Sequence, residues 1–596
     1  MPEVSRPVGR SSRSLFGQLG RLAKTLQVKR KWQLLGVIVL AFATSAAEVM
    51  SIGVLYPFLA LLSGGQLGDN LPQIADVYAA MPALEDYEPI VVITVILVVT
   101  LVLAAGLRVL STWANARLTE VIGTEIAADM FRRTMYQPYL THVSRNSSEI
   151  ISALTGKVGT VVVGIIAPSL LIIQAAIISM VIASTLVFAN WVVALLMIVF
   201  FGTLYAVVIA VTKDRLSVYG NRLSEMSNEI IKLLQESLGG IRDVLIDNSQ
   251  EVYYRQFNAV SAALRRVQAN VMIVSNTPSY VIVTLGMMVL CVVGAYITVQ
   301  DQGGGNALPL LGVFALGAQR LLPMLQQAYS AWSSIRSSRQ SFVDVLALMD
   351  QPPAPPTATL PQPLPYVHSI ELSAISFRYP GRDAYVLEDL NMRVIAGQRI
   401  GIFGVTGGGK STLMDILMGL LPPTTGTLKI DGVAIDESLQ PAWRRNIAHV
   451  PQAIHLTDGT VLENIALGIP RSEIDMSRVL RAAAGAQIAD TISSWPEGFE
   501  TLVGERGVKL SGGQRQRVGI ARALYKQASV IVFDEATSAL DSETEKGVIE
   551  VLNALGPNIT LFMVAHRLST LEQCDVIHEI AGGKVVRSGT YAELFN

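Results

Sequence analysis

The sequence predicts two parts: a membrane all-α domain of six spanning helices, then a cytoplasmic α/β domain of P-loop type. Three observations carry this. The 596-residue chain is 51% hydrophobic and only 16% charged, where soluble proteins carry about 25% charged residues. Its first half holds six apolar runs long enough to cross a bilayer. Its second half holds the loop Gly404-Val405-Thr406-Gly407-Gly408-Gly409-Lys410-Ser411-Thr412, set between the apolar, β-rich run Arg399-Ile400-Gly401-Ile402-Phe403 and the helix-like run Leu413-Met414-Asp415-Ile416-Leu417-Met418. The net charge of −1 gives no argument for nucleic acid. Cys291 and Cys574 lie in different halves, which supports neither a disulfide framework nor a cysteine metal site.

The chain opens on a basic segment, 1–31, with Arg6, Arg10, Arg13, Arg21, Lys24, Lys29, Arg30 and Lys31. The apolar run that follows is too long for a signal-peptide core. Residues 14–30 read as a partly amphipathic helix at the inner membrane surface, and residues 1–13 equally as a basic tail. The membrane domain, 32–349, has spans at about 32–62, 89–113, 158–188, 191–212, 271–298 and 307–333. The segments 64–88, near Asn190 and 299–306 contain no Lys or Arg, whereas the other connections carry Arg117, Arg132, Arg133, Arg145, Lys157, Lys213, Arg215, Arg222, Lys232, Arg242, Arg255, Arg265 and Arg266. Basic residues stay on the cytoplasmic side, so both ends of this domain are expected there. The stretches 114–157 and 213–270 are polar and helix-forming, and too short to bury cores of their own. They read as extensions of the spanning helices, joined at lateral tips near 139–148 and 236–248. Between spans one and two, Leu71–Met81 reads as a short amphipathic helix on the outer surface. A proline-rich linker, 350–366, separates this domain from the second, 367–596.

The glycine loop is a phosphate cradle. Glycines Gly404, Gly407, Gly408 and Gly409, with Thr406, let backbone N–H groups face phosphate oxygens, and Thr412 and its neighbours open a helix whose positive end faces the same way. Lys410 reaches the terminal phosphates and Ser411 can hold Mg²⁺. Val530-Ile531-Val532-Phe533 is a buried-type strand ending in Asp534 and Glu535. Asp534 can bind Mg²⁺ or its water, and Glu535 can act as general base on the attacking water. Gln452 can reach the metal and the water, His566 the terminal phosphate, and the Tyr379 ring can stack on adenine. Taken singly, each of these three has an ordinary structural reading.

Leu510-Ser511-Gly512-Gly513-Gln514 changes that. With the other stations, in this order, it resembles the nucleotide-binding domain of ATP-binding cassette (ABC) transporters, over nearly all of 367–596. The resemblance implies that Ser511, Gly512, Gly513 and Gln514 are the signature sequence that contacts ATP held by an opposite subunit. It likewise implies an adenine-stacking Tyr379, a Q-loop Gln452, a D-loop Ser538-Ala539-Leu540-Asp541 and a switch His566. One chain holds one cradle and one signature, so the implied working unit is a dimer, most simply a homodimer. A membrane domain fused ahead of a cassette resembles exporters, and Gly504-Glu505-Arg506-Gly507 resembles their X-loop. The expected cofactors are ATP and Mg²⁺, and the expected place is the bacterial inner membrane with both termini cytoplasmic.

The cargo is carried by weaker signals. Ionisable residues inside spans are costly and face a cavity or a partner. Glu48 lies mid-span in helix one, Arg320 in the inner half of helix six and Arg108 near the cytoplasmic end of helix two. They read either as a cavity wall that meets an anionic headgroup, or as an interhelical ion pair (Glu48, Arg320) and a snorkelling arginine (Arg108). The membrane half also resembles, loosely, bacterial lipid-linked oligosaccharide flippases and polysaccharide exporters, through Glu48, Arg108 and Arg320-Leu321-Leu322-Pro323. Unlike some of these, it has no arginine at Asn276–Tyr280. The expectation is ATP-driven export or flipping of an amphipathic, lipid-linked anionic glycan by alternating access. A multidrug or lipid exporter and an ATP-gated channel stay open as alternatives, and six spans exclude a soluble ATPase of DNA repair.

Overall fold

The computed structural model describes residues 15–62 except 26, 87–300 except 190, 307–352, 361–534, 547, 550–552, 556–565 and 568–595. Glu535, Asp541, His566, the outer segment 71–81 and the basic tail 1–13 lie outside these residues. The chain divides into two compact units. One comprises Ser5–Gln137 and His142–Ala354, the other Pro355–Asn596 together with Met1–Val4 and Pro138–Thr141.

The first unit is helical. α1 (Leu15–Thr25) precedes α2 (Val28–Leu62), α3 (Pro89–Met135) and the short α4 (Tyr139–Ser144). α5 (147–189) follows, then α6 (Trp191–Gly239), the short α7 (Ile241–Ile246), α8 (Gln250–Gln300) and α9 (Ala307–Met349). Among the described residues, five helices are long and apolar enough to cross a membrane, and α9 holds the sixth expected span. α3 has 47 residues, α6 has 49 and α8 has 51. At 1.5 Å per residue each is ~70 Å long, more than twice the ~30 Å hydrocarbon layer. Polar 114–135 and 213–239 are therefore continuations of spanning helices, and α4 and α7 are the tips that turn the chain. α1 is not simply a surface helix: its Leu22 is buried with Leu118, Ile122, Met130 and Phe342, so protein covers part of its apolar face.

Close packing in this unit relies on small residues. A Cβ at Gly220 would come within 2.1 Å of the Ser337 carbonyl oxygen, and one at Gly164 within 2.1 Å of Ser338 Oγ. Pro278 inside α8 lacks the N–H that would bond Val274. The Tyr329 hydroxyl donates to that carbonyl instead, at 3.0 Å. α5 carries two π-helical turns, Ala153–Lys157 and Val162–Ile166. The first ends on buried Lys157, whose Nζ lies 2.5 Å from Asp344 Oδ2 on α9. The same oxygen accepts from Ser224 Oγ of α6 at 2.8 Å, and Oδ1 accepts from Gln340 Nε2 at 2.9 Å.

The second unit is α/β. A six-stranded sheet runs β10-β9-β3-β8-β7-β6, with β3 (Arg399–Phe403), β6 (Ile447–Val450), β7 (Val530–Asp534), β8 (Thr560–Val564) and β9 (Val576–Ala581) mutually parallel and β10 (Lys584–Gly589) antiparallel at the edge. A smaller antiparallel sheet runs β2-β1-β4-β5, from β1 (Ser369–Phe377), β2 (Leu387–Ile395), β4 (Thr425–Ile430) and β5 (Val433–Ala434). The continuous apolar runs of β7 and β8 suit strands covered on both faces. Fully buried Trp443 ties the two sheets' shared core together and donates Nε1–H to the Leu417 carbonyl at 2.8 Å. Leu140, which groups with this second unit, packs against that same core.

Candidate functional site

The glycine loop, Asp534 and Gln452 stand at or just beyond the carboxyl ends of the parallel strands β3, β7 and β6, where α/β sheets bind ligands. The glycine loop follows β3 and leads into α10 (Lys410–Leu417). Gly404 has φ +149°, and a Cβ there would lie 2.0 Å from the Ile580 carbonyl oxygen. Gly409 caps α10 with φ +102°, where a Cβ would meet Leu387 at 2.7 Å. Both positions therefore admit only glycine without a backbone shift. Lys410 is buried, and its Nζ donates to the carbonyls of Gly404 at 2.8 Å and Val405 at 3.1 Å. Its ammonium is thus held over the cradle itself. Ser411 is exposed on the first turn of α10, while Thr412 is buried with its hydroxyl 3.3 Å from that of Tyr379. The Tyr379 ring stands edge-on to Phe377, centroids 5.0 Å apart. The loop after β1 that carries this aromatic is thereby tied to the cradle.

Asp534 ends β7, two strands from β3, and Gln452 stands exposed two residues beyond β6, the neighbour of β7. The structure adds a residue that the sequence argument did not single out. Asp415 on α10 faces Asp534 closely enough that burial and then the Asp534 charge push its carboxyl up to about 6. Its signal in the sequence was a lone charge inside Leu413-Met414-Asp415-Ile416-Leu417. The two carboxylates repel each other, and a divalent cation held at Asp534 and the exposed Ser411 would relieve that repulsion. Because the folded pKa lies above the unfolded value of 3.8, the ionised form costs stability above about pH 6 and nothing below the unfolded value. Asp415→Asn is therefore expected to raise the melting temperature of the nucleotide-free protein at neutral pH. In a melting series the gap should grow with rising pH and level off above about 6.

The signature opens a helix as its residue types demand. Ser511 caps α11 (Gly512–Lys526): its Oγ accepts the Gln514 N–H at 3.2 Å, and Gln514 Oε1 accepts the Ser511 N–H at 2.8 Å. Ser511 and Gly512 are exposed. A Cβ at Gly512 would meet nothing within 4 Å, so the packing of its own protomer does not require glycine there. Further along α11, Arg522 donates to the carbonyls of Asn464 at 2.9 Å and His455 at 3.1 Å, and Lys526 to that of Arg444 at 2.8 Å and to that of Ile447. The signature helix thus holds the backbone on both sides of Gln452. The loop Gly504–Gly507 joins it: a Cβ at Gly507 would lie 2.5 Å from Leu456.

In the helical unit the three ionisable residues singled out from the spans meet in one cluster. Glu48 on α2 is 1% exposed and ion-pairs with both Arg108 of α3 and Arg320 of α9. Arg108 does not merely snorkel; it shares the carboxylate that Arg320 holds from the other side. Two guanidiniums around one carboxylate leave the cluster with net positive charge.

Comparison with known proteins agrees with this architecture. Residues 387–538 match the family model described as ABC transporter, and residues 34–307 the one described as ABC transporter transmembrane region. The chain is 30% identical over 499 residues to the ATP-dependent lipid A-core flippase of Cupriavidus metallidurans, covering 83% of this chain and 84% of that protein. It is likewise 30% identical over 498 residues to the flippase of the same name from Paraburkholderia xenovorans, covering 82% of each. In fold it is similar to a bacterial Atm1-family ABC exporter with ATP bound, with a TM-score of 0.77 over 95% of this chain and 96% of that one, at 23% identity. The chain belongs to the ABC transporters: a multi-pass membrane region fused to one ATP-binding domain that hydrolyses ATP to drive transport.

Proposed function

We propose that two copies of the chain form a homodimer in the bacterial inner membrane, termini in the cytoplasm, and use Mg²⁺ and ATP to flip a lipid-linked glycan with a phosphate or pyrophosphate headgroup. The cluster of Glu48, Arg108 and Arg320 carries this reading. An excess of guanidinium charge among apolar spans is costly unless it meets an anion, and guanidinium matches phosphate oxygens in pairs. The relatives named as lipid A-core flippases support an amphipathic, lipid-anchored cargo. Two observations support the dimer: the exposed signature start, and the exposed apolar residues Leu238, Ile241, Leu245 and Ile246 at the second tip.

The residues then act in order. The Lys410 ammonium turns from the Gly404 and Val405 carbonyls to the phosphates, and Tyr379 takes the adenine. Ser511 and Gly512 of the partner copy close on the same nucleotide, which draws the two cassettes together and reorients the cavity outward. Glu535, next in the chain after Asp534, takes the proton of the attacking water, with Gln452 and His566 orienting water and phosphate. Mg²⁺, held by Ser411 with Asp534 and Gln452, would supply charge neutralisation at the phosphates. Hydrolysis separates the cassettes again.

In proteoliposomes, phosphate-bearing lipid-linked glycans are expected to stimulate the ATPase several-fold over basal, and Arg320→Ala to bring that ratio back to about one. Stimulation by neutral lipids or drugs alone, or an unchanged ratio in Arg320→Ala, would move the reading to a multidrug or lipid exporter.

A further inference from the structure

We infer that Glu48 is the counter-ion an incoming anionic headgroup must displace, and that it thereby sets the headgroup charge this transporter accepts and releases; this rests on the cationic cluster being the headgroup site. Glu48 is 1% exposed, and the hydroxyls around it on α2 are engaged elsewhere. Thr44 and Ser45 donate to the carbonyls of Leu40 and Ala41, and Ser51 to the backbone carbonyl of Glu48 itself. The carboxylate therefore depends on its two arginines to remain charged among apolar side chains. Among the described residues, Glu48 is the only acidic group ion-paired with either arginine.

The cluster is asymmetric. The Arg108 side chain is 46% exposed and that of Arg320 25%. Each guanidinium carries five N–H donors, more than one carboxylate can accept. A phosphate can thus dock on Arg108 first, and its single charge neutralises the cluster's excess. The second charge of a pyrophosphate is matched only if an arginine leaves Glu48. A buried carboxylate left with one of its two arginines is less well compensated, so Glu48 pulls that arginine back and opposes tight capture. Glu48 accordingly works as a specificity-determining and release-promoting residue: it favours weak, reversible holding of the headgroup, as a pump that must let its cargo go requires.

The test uses the reconstituted full-length protein with three probes on the same polyprenyl chain: a glycosylated diphosphate, a glycosylated monophosphate and an uncharged glycoside. Glu48→Gln is expected to lower the half-stimulating concentration of the diphosphate about tenfold, ~1.4 kcal/mol, and to reduce its maximal stimulated rate by a similar factor. The effect should be smaller for the monophosphate and absent for the uncharged glycoside, and Glu48→Asp should stay near the parent. Should Glu48→Gln fail to accumulate as folded protein, the paired comparison of Arg108→Gln with Arg108→Gln/Glu48→Gln carries the test. The double variant is then expected to respond to the diphosphate at about tenfold lower concentration than the single one. An unchanged or raised half-stimulating concentration in both comparisons overturns the inference. If Arg108→Ala and Arg320→Ala leave the diphosphate response intact, the headgroup site itself is refuted. If they abolish it while Glu48→Gln does not tighten the response, only the counter-ion role falls.

Discussion

Glu535→Gln is expected to retain ATP binding and to lose about 10²–10⁴-fold in turnover, the contribution of a positioned general base. The cradle that the described residues form does not include Glu535. It is built from the glycine loop, with Lys410 lying over the Gly404 and Val405 carbonyls, and from the Tyr379 side. What glutamine removes is the carboxylate proposed to take the proton of water, one residue beyond the end of the strand that carries Asp534. The shape stays nearly the same, so the cassettes should still close on ATP and stay closed. Nucleotide-binding affinity and single-turnover hydrolysis separate the two effects; hydrolysis within a few-fold of the parent would assign the base to another residue.

The second large effect is on stability. Asp344→Ala is expected to destabilise the helical unit by about 3 kcal/mol, in the range for breaking a buried ion pair by removing one partner. Asp344 accepts from Lys157 of the π-turn in α5, from Ser224 of α6 and from Gln340 of its own helix. Its loss leaves Lys157, whose side chain is 6% exposed, as an uncompensated buried charge. Lys157→Met/Asp344→Leu should recover most of the loss, because replacing both partners by apolar groups of similar volume removes the desolvation cost with the attraction. Thermal melts in detergent or nanodiscs check both variants. A double variant no more stable than Asp344→Ala would mean that Ser224 and Gln340, rather than the ion pair, hold the three helices.

Much of the nucleotide site was legible because its chemistry is local. A phosphate cradle needs glycines and a lysine at set spacing within one strand–loop–helix, and the structure keeps Gly404 to Thr412 in that order with Gly404 and Gly409 in backbone conformations that exclude side chains. The capping box of Ser511 and Gln514 is likewise contained in four consecutive residues. Asp415 was not singled out, because its significance lies in facing Asp534, more than a hundred residues away. Arg522 escaped for the same reason: it acts on the carbonyls of Asn464 and His455, and nothing in its neighbours in sequence announces them. In the membrane half, hydropathy and charge located the long helices, since apolar length and arginine placement are properties of single segments. The helix at the N-terminus was expected at the membrane surface, but its Leu22 is covered by α3, α5 and α9 residues that no local pattern could name.

By itself the sequence determined that the chain spans a membrane several times and that its second half is an ATP-binding domain. These follow from composition and short motifs, where the interacting groups are neighbours along the chain. Only the tertiary structure decided that Glu48, Arg108 and Arg320 are one cluster. Each charge stands on a different helix, and the sign and strength of what they do together depend on distance and burial, which packing sets and sequence spacing does not.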